Sequence, residues 1–323
     1  MSDKKYVTIL IGAVLSIITV LYLLVLFLPE EHYMDEDYPL WMQQRDYISS
    51  KGTKQEILLL GDSRMLLGVL PTELSDNTYN LSLGGATPIE MYYTLNTYLK
   101  HHPAPKAVIV AFGPLQFATT GCYTTRNLYL HYFDDATVEA VNKIIYELNG
   151  RDFSFESNLY KFRSPNVYMG PILKSIINPK TLKNREIYEN ARKGRGWISR
   201  KNDYDEEKAV YLPENQMKGF IPLKSQTYFM EKILRLCLNN NIPVYIEQTP
   251  MANPGYQMLK DKGYLSAYKD YLKTFSDKYG IPINYDIPLY EVYLFRDYSH
   301  LNLKGAKLFT QELKKKYLKV LTE

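Results

Sequence analysis

Residues 7–28 of this 323-residue chain, VTILIGAVLSIITVLYLLVLFL, carry no charged side chain. At about 1.5 Å rise per residue, a helix of that length reaches across a hydrocarbon core of roughly 30 Å. The run has no polar face, which sets it apart from a helix packed on a soluble core. Lys4 and Lys5 precede it, with Asp3 partly offsetting them, and Glu30, Glu31, Asp35, Glu36 and Asp37 follow. Positive charge is retained on the cytoplasmic side, so the N-terminus is expected inside and the rest of the chain outside the cell membrane. A cleaved signal peptide is the rival reading. Its apolar core runs about 7–15 residues and ends in a small-x-small site, whereas this stretch ends on Phe27, Leu28 and Pro29. The expectation is an uncleaved, single-pass anchor over residues 1–29.

Beyond the anchor the pattern changes. Residues 30–54 form a connecting region with one amphipathic helix around 40–49. From residue 55 onward, short apolar runs alternate with helical stretches. Strands are predicted over 56–60, 79–83, 106–112, 242–247 and 281–286, and helices over 88–102, 229–241, 269–280 and 304–320. Glycine at a helix end followed by a β-branched run marks a helix-to-strand boundary. Continuous apolar strands alternating with helices imply a parallel sheet covered on both faces, an α/β fold in three layers. The interval of about 119–223 is too long for a loop. It reads as a helical insertion, with a basic run at 174–201 and an acidic DYDEE at 203–207.

The composition is that of a globular chain: 46% hydrophobic and 23% charged, with a net charge of +4. Such a balance does not call for nucleic acid, and no zinc-knuckle, helix-turn-helix or RNA-binding signature reverses that. Cys122 and Cys237 are the only cysteines. They have no metal or redox spacing and are expected as two free thiols. No metal site or cofactor is expected. Thirty tyrosines leave two readings open, a composition bias or an aromatic surface that stacks on carbohydrate.

In an open parallel sheet, ligands collect beyond the carboxyl ends of the strands. Four polar or glycine-rich turns follow strands here: GDSR at 61–64, LGGATP at 83–88, GPLQF at 113–117 and DYSH at 297–300. Ser63 follows a strand and opens a helix, so its hydroxyl can project into the crevice. A serine hydroxyl needs a base to take its proton. Histidine is the side chain that titrates near neutrality, which makes His300 the natural base. Asp297, three residues earlier, can hold the far imidazole nitrogen. Backbone N–H groups of Ser63 and of Gly84 or Gly85 are suited to an oxyanion, because glycine lets the backbone approach closely. Arg64, Glu247 and Gln248 are candidate substrate contacts, and Trp197 could stack on a sugar.

These blocks together resemble the SGNH/GDSL hydrolase superfamily. GDSR at 61–64, the Gly84-Gly85 turn and DYSHLNLKGAKLF at 297–309 match the blocks that supply nucleophile, glycine oxyanion donor and Asp-x-x-His pair. The resemblance covers roughly 55–120 and 240–320, and implies a flavodoxin-like SGNH fold over 55–323 with the triad Ser63, Asp297 and His300. One position departs from it. The third block normally places an asparagine two residues after its glycine, where this chain has Leu115. Gln116 is the next polar side chain, and the resemblance makes it the stand-in oxyanion donor. A proline-containing, glutamine-bearing strand end is similar to membrane-anchored SGNH proteins that work with MBOAT acyltransferases in teichoic-acid D-alanine transfer or exopolysaccharide O-acetylation. That likeness implies a membrane-anchored acyltransferase, or acyl-transfer partner of a multi-span MBOAT protein, acting on an envelope polysaccharide or teichoic acid. An extracytoplasmic carbohydrate esterase shares all of the catalytic residues. A non-catalytic scaffold of an envelope acylation complex is the third reading, with Leu115 as its best support.

Overall fold

The computed structural model describes residues 3–52, 55, 57–199 and 217–317. The acidic stretch at 203–207 and the end of the basic run lie outside the described residues. The first helix, α1 (Asp3–Phe27), is long and apolar enough to cross a membrane, and almost all of its side chains are exposed. After α2 (Glu30–Tyr33) comes α3 (Tyr38–Ser49), which is built into the protein rather than strung beside it. Its Leu40, Trp41, Met42 and Ile48 are buried. Gln43 donates to the Tyr79 hydroxyl at 2.7 Å and Gln44 to the Asn80 carbonyl at 2.5 Å.

The α/β core begins with β1 (Ile57–Gly61), α4 (Ser63–Gly68), α5 (Pro71–Leu74), β2 (Thr78–Asn80), α6 (Pro88–His101) and β3 (Ala107–Phe112). After β3 come four helices, α7 (Asp135–Asn149), α8 (Ser154–Lys161), α9 (Pro165–Ile177) and α10 (Thr181–Lys193), in the interval read from the sequence as an insertion. The chain then returns through α11 (Lys224–Asn239), β4 (Val244–Gln248), β5 (Met251–Ala252), α12 (Asn253–Asp261), α13 (Tyr264–Tyr279), β6 (Leu289–Tyr290) and α14 (Leu303–Lys316).

The main sheet is parallel, in the order β2-β1-β3-β4. That is the start of the flavodoxin-like order. Side chains along a strand point alternately to its two faces, and the core divides accordingly. Leu58, Leu60, Val108, Val110 and Ile246 pack on one side with residues of α3, α6 and α11. Ile57, Leu59, Ile109 and Ala111 pack on the other with Met65, Phe309 and Leu313. The α/β fold of three layers, preceded by one apolar helix, is as the sequence predicts.

The fifth strand differs. Over 281–286 only Ile283 makes a bridge, to Ile246. Proline has no N–H to give a ladder, and Pro282 stands at the start of this run. β5 and β6 pair in parallel with each other as a separate two-stranded sheet. The tyrosine abundance is largely a matter of packing: Tyr33, Tyr98, Tyr123, Tyr168 and Tyr264 are among the largest fully buried side chains.

Candidate active site

Ser63 sits where β1 ends and α4 begins, at the middle of the sheet. Asp62, the residue before it, caps α4 by accepting from the Arg64 N–H at 2.9 Å. The second Asp62 oxygen accepts from the Gly113 N–H at 3.1 Å and from Gln116 Nε2 at 2.8 Å. One buried carboxylate thus ties the turn after β1 to the turn after β3. Asn80 secures the other side of α4, donating to the Met65 carbonyl at 3.1 Å and accepting from the Ser82 N–H at 3.0 Å.

The loop carrying Asp297 and His300 is closed on itself. Phe295 and Leu301 form an antiparallel bridge, and the Arg296 N–H donates to the His300 carbonyl at 2.9 Å. Asp297 Oδ1 accepts from the Ser299 and His300 N–H groups, each at 2.9 Å. Asn302 caps α14 by accepting from the Lys304 and Gly305 N–H groups at 3.0 and 3.1 Å, and its amide donates to the Tyr293 carbonyl at 2.7 Å. A Cβ on Gly305 would fall 2.3 Å from the Leu294 carbonyl oxygen, so only glycine allows this loop to lie on α14.

The two turns meet. His300 Nε2 lies 2.7 Å from Ser63 Oγ, and His300 Nδ1 lies 2.9 Å from both Asp297 oxygens. Burial is the strongest influence on Asp297 and pushes its pKa up. The His300 hydrogen bond and charge, with the two backbone donors, overcome it and hold the carboxyl at about 2. An ionised carboxylate there fixes the imidazole with a proton on Nδ1, leaving Nε2 to accept from the serine.

A cavity of about 290 Å³ opens in front of Ser63, with Gly84, Gly85 and His300 on its wall. Gly85 has φ +75°, which a side chain rarely adopts. Its carbonyl accepts from the Cys122 thiol at 3.1 Å. Burial pushes the Cys122 pKa well up, keeping the thiol a donor. The Ser63, Gly84 and Gly85 N–H groups make no hydrogen bond to protein among the described residues. Cys122 and Cys237 are not joined.

Several residues singled out in the sequence stand elsewhere. Gln116 is turned to Asp62 and does not line the cavity. The Arg64 guanidinium is buried against Gly113, where a Cβ would come within 3.0 Å of it, and it too is absent from the cavity wall. Glu247 and Gln248 are buried two strands from β1, roughly 10 Å at the usual strand spacing. Glu247 pairs with Lys316 at 2.5 Å and accepts from Asn284 and Tyr317. Gln248 bonds the Asn284 carbonyl and the Tyr268 hydroxyl. Trp197 is half-buried and donates to the Leu67 carbonyl at 3.2 Å, so its ring is a packing element behind α4. At the end of a strand, sequence spacing fixes where a residue stands but not which way its side chain turns, and each of these found a local partner.

The cavity wall also holds residues that no motif marks. Arg126 and Asp37 line it and pair at 2.7 Å, and Arg296 lines it beside Asp297, at 3.7 Å. Asp37 reads in the sequence only as one of the acids flanking the anchor. Among the described residues, no group of three His, Cys, Asp or Glu is arranged to hold a metal. A larger cavity of about 580 Å³ lies between α7 and α8 and includes no residue of the Ser63 cluster.

A family model described as a protein of unknown function, DUF1574, matches residues 29–317. No curated protein matches the chain. Among solved structures, one similar chain, from Bacteroides fragilis, is described as a putative acylhydrolase. It is 10% identical, with a TM-score of 0.37, and the match covers 87% of this chain and 96% of that one.

Proposed function

This chain belongs to the DUF1574 family, and we propose that it is a membrane-anchored serine acyltransferase acting outside the membrane on a hydroxyl of an envelope polysaccharide or teichoic acid. The observation that carries the reading is the continuous hydrogen-bond chain from Ser63 through His300 to Asp297. Ser63 Oγ attacks the acyl carbonyl while its proton passes to His300 Nε2. The N–H groups of Ser63 and of Gly84 or Gly85 receive the negative charge on the tetrahedral intermediate. His300 then returns the proton to the departing donor group, leaving the acyl group as an ester on Ser63. An acceptor hydroxyl repeats the sequence in reverse: His300 takes its proton, the oxygen attacks the ester, and Ser63 recovers its hydrogen.

The membrane part of the proposal is supported by how α1 joins the domain. Val25 is fully buried in the main core, and Arg163 donates to the Leu26 carbonyl at 3.4 Å. A helix integrated in this way suits a retained anchor better than a cleaved leader. Asp37, ten positions after the end of α1, lines the cavity itself. A site so near the anchor suits an acyl donor that arrives through the membrane, such as one delivered by a multi-span MBOAT-type partner. The likeness of the turn after β3 to such systems is the ground for naming that partner class.

The same residues serve an esterase if water replaces the acceptor. The His300 and Asp297 side chains are 23% and 20% exposed, which leaves water a path to the ester. Turnover of an activated acetyl ester, measured with and without a polyhydroxylated acceptor, separates the two. Acceleration by the acceptor, with appearance of its acetyl ester, supports transfer. Hydrolysis at an unchanged rate in every acceptor supports the esterase.

A further inference from the structure

Outside the site, the insertion carries an unusual surface. On α9, Leu173, Ile176 and Ile177 are 47%, 66% and 90% exposed, and Leu182, just beyond it, is 83% exposed. Contiguous exposed aliphatic side chains are costly in water and mark a covered surface. The opposite face of α9 is anchored: Tyr168 and Ile172 are fully buried in the same core cluster as Val25 of α1. The helix α9 packs directly on α1.

The length of α1 sets the depth of that contact. Every side chain from residue 7 to residue 20 is exposed, while Leu21, Leu24, Val25 and Leu26 are partly or fully covered. The exposed stretch alone spans roughly 21 Å, short of a hydrocarbon core of about 30 Å. Residues 21–28 must supply the remaining roughly 9 Å, and α9 is packed against that part of the helix. A depth of about 5–10 Å is where interfacial helices rest. Lys174, between Leu173 and Ser175, is exposed on a stem long enough to carry its charge up to the lipid phosphates.

We propose that α9 is a second membrane element, bedded in the lipid of the outer interface alongside α1, with Ile176 and Ile177 among acyl chains. Its occupant is the bilayer itself. The inference rests on the reading of α1 as an anchor and not on the acyl-transfer chemistry. Bedding at two points would hold the domain in one orientation, with the Ser63 cavity kept at the membrane surface.

The test uses the full chain with Cys122→Ser, reconstituted in vesicles of phosphatidylcholine and phosphatidylglycerol in equal parts. A nitrobenzoxadiazole label is placed singly on Leu15→Cys, Ile176→Cys, Ile177→Cys or Leu308→Cys, and quenching by doxyl-labelled lipid is read. Labels at Ile176 and Ile177 are expected to shift to the blue and to be quenched most by lipids doxylated near the headgroup. Leu15 should be quenched most by deep doxyl groups, and Leu308, on α14 across the sheet, should not be quenched. Quenching at Leu15 with water-like emission at both α9 positions overturns the proposal and leaves the anchor standing. Loss of quenching at Leu15 overturns the anchor and the proposal together. Labels on α9 that stay in water in pure lipid but are shielded in native membranes also overturn it, and assign this face to a membrane protein.

Discussion

His300 Nε2 and Ser63 Oγ stand 2.7 Å apart although 237 positions separate them in the chain. That contact, with Asp297 behind it, makes a sharp demand on variants. Ser63→Ala is expected to abolish labelling by a fluorophosphonate, and wild type is expected to be labelled. His300→Ala should lower acyl transfer by about 10⁴-fold or more, and Asp297→Asn by about 10⁴-fold, since the amide favours the wrong tautomer. Labelling of wild type no faster than that of Ser63→Ala would leave a scaffold as the better reading.

Gln116 separates two accounts of the oxyanion site. Its amide donates to the buried Asp62 carboxylate at 2.8 Å, and it is absent from the cavity wall. Gln116→Ala should therefore act chiefly on stability, costing about 1.5–3 kcal/mol for a lost hydrogen bond to a charged group. Acyl turnover by the folded fraction should change little. An oxyanion donor would instead lose about 10²–10³-fold in turnover. Measuring unfolding in urea beside turnover per folded molecule decides between them.

The meeting of Ser63, His300 and Asp297 was legible because each of them lies in a short turn that the sequence marks by itself. GDS follows an apolar strand, and Asp297 and His300 are held by bonds within five residues of each other. The parallel sheet was legible because its strands are continuous apolar runs, such as Leu58, Leu59 and Leu60, which are buried on both faces. What spacing could not convey was side-chain direction. Gln116 and Arg64 stand at the right strand ends and turn to Asp62 and Gly113. Asp37 and Arg126 reach the cavity from segments 89 positions apart, and only the fold brings their charges together. The strand predicted at 281–286 shrank to one bridge because an apolar run does not reveal how far a proline will break its ladder.

Glu90 makes a stability prediction beside the site. It is fully buried at the start of α6, where its Oε2 accepts from the Thr87 N–H at 2.9 Å and the Thr87 hydroxyl at 2.7 Å. Burial raises its pKa, and the bonds from Thr87 and Asn127 only partly offset that. Glu90→Gln mimics the neutral acid. Asn127 can then turn its amide so that Oδ1, which has no partner now, accepts from the new side chain. Below the ordinary carboxylate pH range this variant should lie within about 0.5 kcal/mol of wild type, and Glu90→Ala should lose about 1–3 kcal/mol. Because the folded carboxyl titrates higher than the unfolded one, wild type should lose stability relative to Glu90→Gln as pH rises above the ordinary carboxylate range. Equal losses in Gln and Ala variants on denaturant unfolding would count against this account.

Asp297 should show the opposite pH dependence. Its folded pKa is about 2 against an ordinary 3.8. Between those values the unfolded chain binds the extra proton, so stability from this carboxylate is complete above the ordinary value and is lost as pH falls toward the folded one. Asp297→Asn keeps the side-chain shape and an acceptor oxygen but cannot titrate. The stability difference between wild type and this variant should have its full Asp297 contribution at about pH 5 and should shrink steadily as the pH falls below about 4. Urea unfolding of the two proteins in the same detergent, compared at each pH, cancels the contribution of titrating groups that are not coupled to Asp297. A difference that stays constant down to about pH 2 would mean that Asp297 gains nothing from His300 and the two backbone donors in the folded state.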